Sequence, residues 1–410
     1  MATKLGYLIP QFPGQTHIFF WREILELERR GVEVALFSTR PPPRKLVTHR
    51  WSEQAIARTH YLMRPEVLDV ARLGARFPLR ELREAVQGES RAHARDVALS
   101  TAAATQLAFT CRQREIEHVH VHSCGRAALI AALAHRMFGL SYSLTLHGPL
   151  KDYGPGQRFK WKHARFVTVI TKKLLEEVRV ELGHDLPTHV FVRGMGVDTE
   201  QLRRTVPYVA PKPGETLRLF SCGRLNPVKG HLDLLAAVRR LIDEGRAVSL
   251  EIAGEDDEGG TGYRRLVEAR IVELGIEPHV RLLGAVDADC VRDRLSHAHL
   301  FVLASLDEAL GVALMEAMSC EVPTIGTATG GVAELIRDGI DGILIPPANP
   351  DLLARTIAIL ADDREACERF GTAGRARVVD AFQAGAGADT LIEALRCTSP
   401  RGPDLPRVGG

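Results

Sequence analysis

Two stretches in the second half of the chain gather residues able to hold a diphosphate and a sugar. The first is Cys222-Gly-Arg224-Leu-Asn-Pro-Val-Lys229-Gly230, which follows a predicted strand and precedes a predicted helix starting near His231. Its glycines permit close backbone approach, and Arg224 and Lys229 bring two positive charges to one loop. That arrangement suits a diphosphate, with the helix N-terminus adding its dipole. A loop with ordinary surface cations would read the same way when taken alone. The second stretch is Glu308-Ala-Leu-Gly311-Val-Ala-Leu-Met-Glu316-Ala-Met. Glu308 reads as a loop residue and Glu316 as one or two turns into a helix. Gly311 at the helix entrance lets backbone N–H groups face an anion, and a helical carboxylate at the same site can accept both hydroxyls of a ribose. Two surface glutamates on an amphipathic helix are the bland alternative, and the glycine at the entrance shifts the balance away from it.

These loops need elements to position them. Lys4–Ile9 reads as a buried strand, followed by the loop Pro10-Gln-Phe-Pro13-Gly14-Gln-Thr16. A helix follows with apolar positions at Phe20, Trp21, Ile24, Leu25 and Leu27, and Gly31 stops it. Val32–Ser38 is the next strand, so the chain opens as a doubly wound parallel sheet does. Residues 41–110 are broken by Pro41-Pro-Pro43, Pro65 and Pro78. Further strands are predicted at 118–122, 141–147, 166–170 and 189–193. The segment Val206–Gly214, with three prolines, reads as a linker. The second half repeats the pattern with strands at 217–222, 248–253, 280–284, 299–304, 323–326 and 342–345, then a helical stretch at 364–397. The fold expected is α/β: two Rossmann-like doubly wound parallel-sheet domains facing each other across a cleft, with ligands beyond the carboxyl ends of the strands. The boundaries expected are an N-terminal domain at 1–205, a linker at 206–215 and a C-terminal domain at 216–380. A helix at 381–397 would return to the first domain, and a Pro/Gly-rich tail at 398–410 is expected to be disordered.

In combination, G-R-L-x-x-x-K-G and E-x(7)-E in a two-domain α/β chain resemble glycosyltransferase family four, retaining enzymes of GT-B fold. The likeness runs from Leu5 to about Asp380. It includes Gly330-Gly331-Val-Ala-Glu334, Asp338-Gly-Ile-Asp-Gly342 and Gly194-Met-Gly196-Val-Asp198. The early F-P-G-Q-T and W-R-E-I segments resemble the branch that builds bacterial exopolysaccharides such as colanic acid. The resemblance implies that Arg224 and Lys229 grip the donor diphosphate and that Glu316 binds the nucleotide ribose. It implies that Glu308 contacts the donor sugar, while N–H groups around Leu310, Gly311 and Val312 complete the phosphate cradle. His147, in Leu144-Thr-Leu-His-Gly148, matches the histidine that reaches the transferred sugar, and Gly14 stands where the family contacts the donor phosphate. It further implies a UDP- or GDP-linked sugar donor, a saccharide or lipid-linked saccharide acceptor, retention of anomeric configuration, and no metal or other cofactor, with cations stabilising the leaving diphosphate. The chain departs from the pattern in three places. Only Gly14 occupies the first loop where two glycines are frequent, Ala309 follows Glu308, and Glu321 stands where many members have glycine.

Composition sets the outer limits. The 410 residues include 53 Lys+Arg and 51 Asp+Glu, a formal net charge of +2, which argues against strong nucleic-acid binding. Residues 1–200 carry 29 basic and 20 acidic side chains, and the remainder 24 and 31, so a +9 half adjoins a −7 half. That asymmetry is compatible with an anionic partner on one side, such as a membrane surface. Six arginines lie between Arg72 and Arg95 with acids among them, and a solvated helix surface is the simpler reading. No apolar run approaches the roughly 18 residues of a membrane span, and the start of the chain lacks a secretory h-region. The seven cysteines have no C-x-x-C pair, so a cytoplasmic protein is expected, with peripheral contact at the inner membrane face as the further expectation. His118, His120 and His122 share one strand face and could in principle bind a metal, but a structural role is favoured. Phe19-Phe20-Trp21 are expected in the core. Absence of G-x-G-x-x-G and of a P-loop removes nicotinamide-dependent and P-loop chemistry. Three alternatives stay open: a glycosyltransferase of a soluble natural product, a GT-B nucleotide-sugar epimerase, and a non-catalytic nucleotide-sugar binder.

Overall fold

The computed structural model describes residues 3–43, 49–62 and 78–398. Among these, one sheet comprises β1 (Thr3–Gln11), β2 (Val32–Arg40), β3 (Thr59–Tyr61), β4 (His118–His122), β5 (Ser141–Leu146), β6 (Val167–Val169) and β7 (Val190–Val192), in the order β3-β2-β1-β4-β5-β6-β7. The other comprises β8 (Leu217–Cys222), β9 (Val248–Ala253), β10 (Val280–Gly284), β11 (Leu300–Leu303), β12 (Thr324–Thr327) and β13 (Ile343–Ile345), in the order β10-β9-β8-β11-β12-β13. Every ladder is parallel. The fold is the paired Rossmann-like arrangement read from the alternation of strand and helix patterns.

Strand order reverses between β1 and β4 in the first sheet and between β8 and β11 in the second. A crevice opens where strand order reverses, at the carboxyl ends of the strands. At those points lie the loop after β1 with Gly14, the loop after β8 with Arg224 and Lys229, and the loop after β11 with Glu308. Topology therefore brings together residues separated by nearly 300 positions.

The helix Ile18–Arg29 buries Phe20, Trp21, Ile24 and Leu27 against the first sheet at 3.6-residue spacing, while Leu25 faces solvent. The helix Arg126–Phe138 is buried along Ala127–Ala134, as a helix enclosed between neighbours must be. Among the described residues no helix is long and apolar enough to cross a membrane.

The stretch 364–397 is two helices, Arg364–Ala381 and Ala384–Cys397, broken at Phe382-Gln383. At the break the chain crosses back. Val197 N donates to Phe382 O at 2.9 Å, and Ala384 N donates to Val197 O at 3.0 Å. The last helix places Ala388, Leu391 and Ala394 in the same core as Phe20, Trp21 and Ile24. Arg30 pairs with Asp389 along its rim. Gly196 is explained by this crossing: a Cβ there would lie 2.3 Å from the backbone of Gln383. The Pro/Gly-rich tail beyond Thr398, Pro65, and Arg72 and Arg76 of the arginine cluster lie outside the described residues.

Candidate active site

The two loops of the C-terminal domain meet directly. Lys229 Nζ and Glu308 Oε2 form an ion pair, and Ser305 Oγ donates to the same oxygen at 3.2 Å. Lys229 closes a short turn, Pro227–Lys229, and Gly230 follows with φ 63°. A Cβ on Gly230 would lie 1.9 Å from Ala304 O. Glycine is therefore required where the loop after β8 presses on the end of β11. Gly311 (φ 93°) is the N-cap of the helix Val312–Ser319, and no side chain among the described residues caps it. Its first-turn N–H groups are available to an anion, whose charge the helix dipole favours. Glu316 sits in the middle of this helix. Arg224 lies further out, 3.4 Å from Asp257, with both side chains exposed. Its charge is nevertheless felt by His17 in the first domain, where burial foremost, then Arg224, lowers the imidazole pKa to about 4.

The first domain supplies the opposite wall. Gly14 accepts through its carbonyl from His17 N at 3.0 Å, and a Cβ on Gly14 would lie 2.9 Å from the His17 ring. His147 follows β5, with Nε2 3.0 Å from His122 Nδ1 and Nδ1 3.1 Å from Met195 Sδ. Burial drives the His147 pKa down to about 3, so the ring is neutral at pH 7. Leu310 is buried, and a Cβ on Gly194 would strike it at 2.8 Å, so the Gly194-Met-Gly196 turn lies under the Glu308–Gly311 loop.

Several residues that hold the cleft together were not singled out from sequence. Arg22 Nη1 lies 3.0 Å from Glu316 Oε1. Gln15 reaches across with both side-chain ends, donating to Glu255 O at 2.9 Å and accepting from Glu255 N at 3.1 Å. Glu334 accepts from Lys172 N and Lys173 N, each at 2.9 Å, so a C-terminal-domain carboxylate caps the N-terminal-domain helix Lys172–Leu182. Each of these is a polar residue in a loop or on a helix face, and its partner lies between 161 and 294 positions away, a separation that sequence spacing cannot reveal. The W-R-E-I and G-G-V-A-E segments that hold Arg22 and Glu334 entered only as parts of the family resemblance, which assigns neither residue a partner. Beside Glu308, a pocket of about 320 Å³ opens between Leu150, Lys151 and Lys173 on one side and Asp307, Ala309 and Gly330 on the other.

The three alternating histidines divide by role. His118 contacts Ser141 and Ser143 Oγ, and His120 contacts Ser143 Oγ and Thr145 Oγ1, at 2.7–2.8 Å. Their ring nitrogens are thus engaged in cross-strand hydrogen bonds. His122, at the end of β4, faces His147 instead. Among the described residues no group of three or more His, Cys, Asp or Glu is placed to hold a metal. Phe20 and Trp21 are core, while Phe19 is half-buried with its ring 5.6 Å from that of His147.

Residues 204–377 match the family described as glycosyl transferases group 1. EpsD, a protein named as a glycosyltransferase from Bacillus subtilis (strain 168), is 30% identical over 280 residues, covering 64% of this chain and 71% of its own length. The chain belongs to the group 1 glycosyl transferases. A second relative of this glycosyltransferase is the D-inositol 3-phosphate glycosyltransferase of Streptomyces bingchenggensis (strain BCW-1). It is 29% identical over 239 residues, 55% of this chain and about half (52%) of the relative. Solved structures confirm the GT-B fold. Sucrose-phosphate synthase from Thermosynechococcus elongatus superposes with a TM-score of 0.74 at 18% identity, over 97% of this chain and 100% of that one. HepE from Anabaena, solved with UDP-glucose, gives 0.73 at 18% identity, over 96% and 99%.

Proposed function

We propose that this glycosyltransferase moves a sugar from a nucleotide-sugar donor to a saccharide or lipid-linked saccharide acceptor, with retention of configuration and without a metal. The observation that carries this reading is the Lys229–Glu308 pair beside the helix that Gly311 opens with no side-chain cap. Lys229, Arg224 and the N–H groups of Leu310 to Val312 would take the diphosphate, where negative charge grows as the glycosidic bond breaks. Glu308 would accept from donor-sugar hydroxyls, and Glu316 from the ribose. Gly14 and the loop after β1 would close over the phosphates from the other domain. His147 would meet the transferred sugar. The departing phosphate would help take the acceptor's proton on the same face.

The 320 Å³ pocket beside Glu308, with Lys151 and Lys173 at its edge, is the place for the acceptor. UDP is the first donor base to try, since HepE of like fold was solved with UDP-glucose; GDP is the second. Exopolysaccharide or other glycoconjugate assembly is the role favoured by the F-P-G-Q-T and W-R-E-I likeness. The +9 charge of residues 1–200 supports contact with an anionic membrane surface from the cytoplasmic side. Retention of the protein by anionic liposomes at low salt checks that contact, and failure to bind removes it.

The reading is tested by incubating the protein with a panel of UDP- and GDP-sugars in EDTA, with and without candidate acceptors. Acceptor-dependent release of nucleoside diphosphate, with the product anomer matching the donor by NMR, is expected. Conversion of the donor sugar without an acceptor would instead identify an epimerase.

A further inference from the structure

Behind His147 stands a chain of polar groups that the donor site does not use. His147 Nε2 lies 3.0 Å from His122 Nδ1. On the far side of that ring, His122 Nε2 lies 3.1 Å from Glu23 Oε2, an ion-pair distance without a formed hydrogen bond. Tyr7 Oη donates to the same Glu23 oxygen at 2.5 Å. The links come from β1, the helix Ile18–Arg29, β4 and the residue after β5, so four elements are required to assemble them. The last helix takes part as well: a Cβ on Gly387 would lie 2.6 Å from Glu23 Oε1, so a larger residue there would push the carboxylate from its present position.

The surroundings are tight. Tyr7 is fully buried and His122 is 3% exposed. The His122 ring is 4.4 Å from that of Tyr7, 4.9 Å from Phe20 and 5.3 Å from His147. Two neutral imidazoles facing each other share one proton, so fixing the tautomer of one fixes the other. An ionised Glu23 favours a proton on the His122 nitrogen that faces it. His122 Nδ1 is then bare and accepts from His147 Nε2–H. His147 Nδ1, the nitrogen beside Met195, is left as an acceptor. The opposite polarity would set a bare nitrogen against a carboxylate and gain only a thioether contact, a weak acceptor.

We propose that Glu23 and His122 are positioning residues that hold His147 in the tautomer whose Nδ1 accepts a hydroxyl proton of the sugar in the cleft. The orientation of His147 in the site rests on the reading under Proposed function; the relay itself does not. Met195, unbranched and flexible, is suited to yield its place beside Nδ1 to that hydroxyl.

The test uses full-length protein labelled with ¹⁵N-histidine, whose ring-nitrogen shifts report the tautomer. Signals of His122 and His147 are assigned with His122→Asn and His147→Asn. The relay requires that His147 be protonated at Nε2 and bare at Nδ1 in the unsubstituted protein. Glu23→Gln, which removes the charge, and Glu23→Ala, which removes the acceptor, should both move His147 toward protonation at Nδ1. Glu23→Asp should restore the original pattern in part. With a nucleotide sugar that turns over in the panel assay, Glu23→Gln should lower kcat at least tenfold while leaving KM for the donor within about threefold. A proton found on Nδ1 in the unsubstituted protein, or shifts unchanged in both variants, overturns the relay. Shifts that move as required while kcat stays constant uphold the relay and remove His147 from the sugar site.

Discussion

Arg22 and Glu316 join the two domains through an ion pair, Nη1 to Oε1 at 3.0 Å, in which both side chains are nearly buried. Arg22 comes from the helix after the Gly14 loop and Glu316 from the helix after the Gly311 loop. The carboxylate expected to bind the ribose is therefore also a point of closure. Removing one partner leaves a charge with little solvent, costing about 1.5–3 kcal/mol for a lost charge-assisted hydrogen bond. Arg22→Ala is expected to favour separation of the domains. Small-angle scattering should show a larger radius of gyration in the variant, and an identical curve would exclude Arg22 from holding the cleft closed.

Glu334 gives a second, separable link. Its two oxygens satisfy two N–H groups at the start of Lys172–Leu182, groups that an α-helix leaves without partners. Glu334→Ala should cost about 1 kcal/mol, the ordinary worth of a cap. Amide hydrogen exchange at Lys172 and Lys173 should quicken severalfold while the core of β5 keeps its protection. Unaltered exchange at those two amides would show that the cap does not hold in solution.

Gly196 is the tightest point of the crossing to the last helix. Alanine there would force its Cβ against the Gln383 backbone at 2.3 Å. Such overpacking usually costs about 1–3 kcal/mol. A lowered thermal midpoint for Gly196→Ala is expected, with Gly245→Ala as a control for position, since no atom lies within 4 Å of its Cβ site although its φ of 81° adds a backbone penalty of its own. The Gly196 variant should melt lower than the control.

The fold was largely legible because parallel strands buried on both faces read as short apolar runs separated by helical spacing. All strands predicted from 118 onward fall within two residues of their observed ends. β3 was missed: it has three residues, Thr59–Tyr61, too few for a period, at the sheet edge. The helical stretch read at 364–397 is interrupted at Phe382-Gln383, close to the boundary expected at 380, although neither residue is glycine or proline; the interruption is imposed by pairing with Val197. In the site, Lys229, Glu308, Gly311 and Glu316 were legible because glycines and charges lie close together along the chain. Arg22, Gln15 and Glu23 were not, because their partners lie on other elements or in the other domain. Glu321 is a departure with a physical trace, since it adopts φ 55° where glycine would carry no side-chain penalty.

Acid should destabilise the protein through its buried histidines. Burial lowers His17 and His231 to about 4 and His122 and His147 to about 3. The unfolded chain binds a proton at each near pH 6.5, before the folded chain does. Above pH 6.5 both states are neutral and these groups contribute nothing. As pH falls below 6.5 the unfolded state is favoured, by roughly 2 kcal/mol per such histidine at pH 5. The thermal midpoint should drop between pH 7 and pH 5, and less steeply in His122→Asn. A level midpoint would contradict the burial of these rings.

The most direct measurement is calorimetric titration of UDP, GDP and ADP into the protein and into Lys229→Ala, each with and without EDTA. Selective binding of one nucleotide, unaffected by EDTA and weakened by roughly 1.5–3 kcal/mol in the variant, is the result predicted by a metal-free diphosphate site at Lys229. No binding of any nucleotide, or equal affinity in a folded Lys229→Ala, would contradict it.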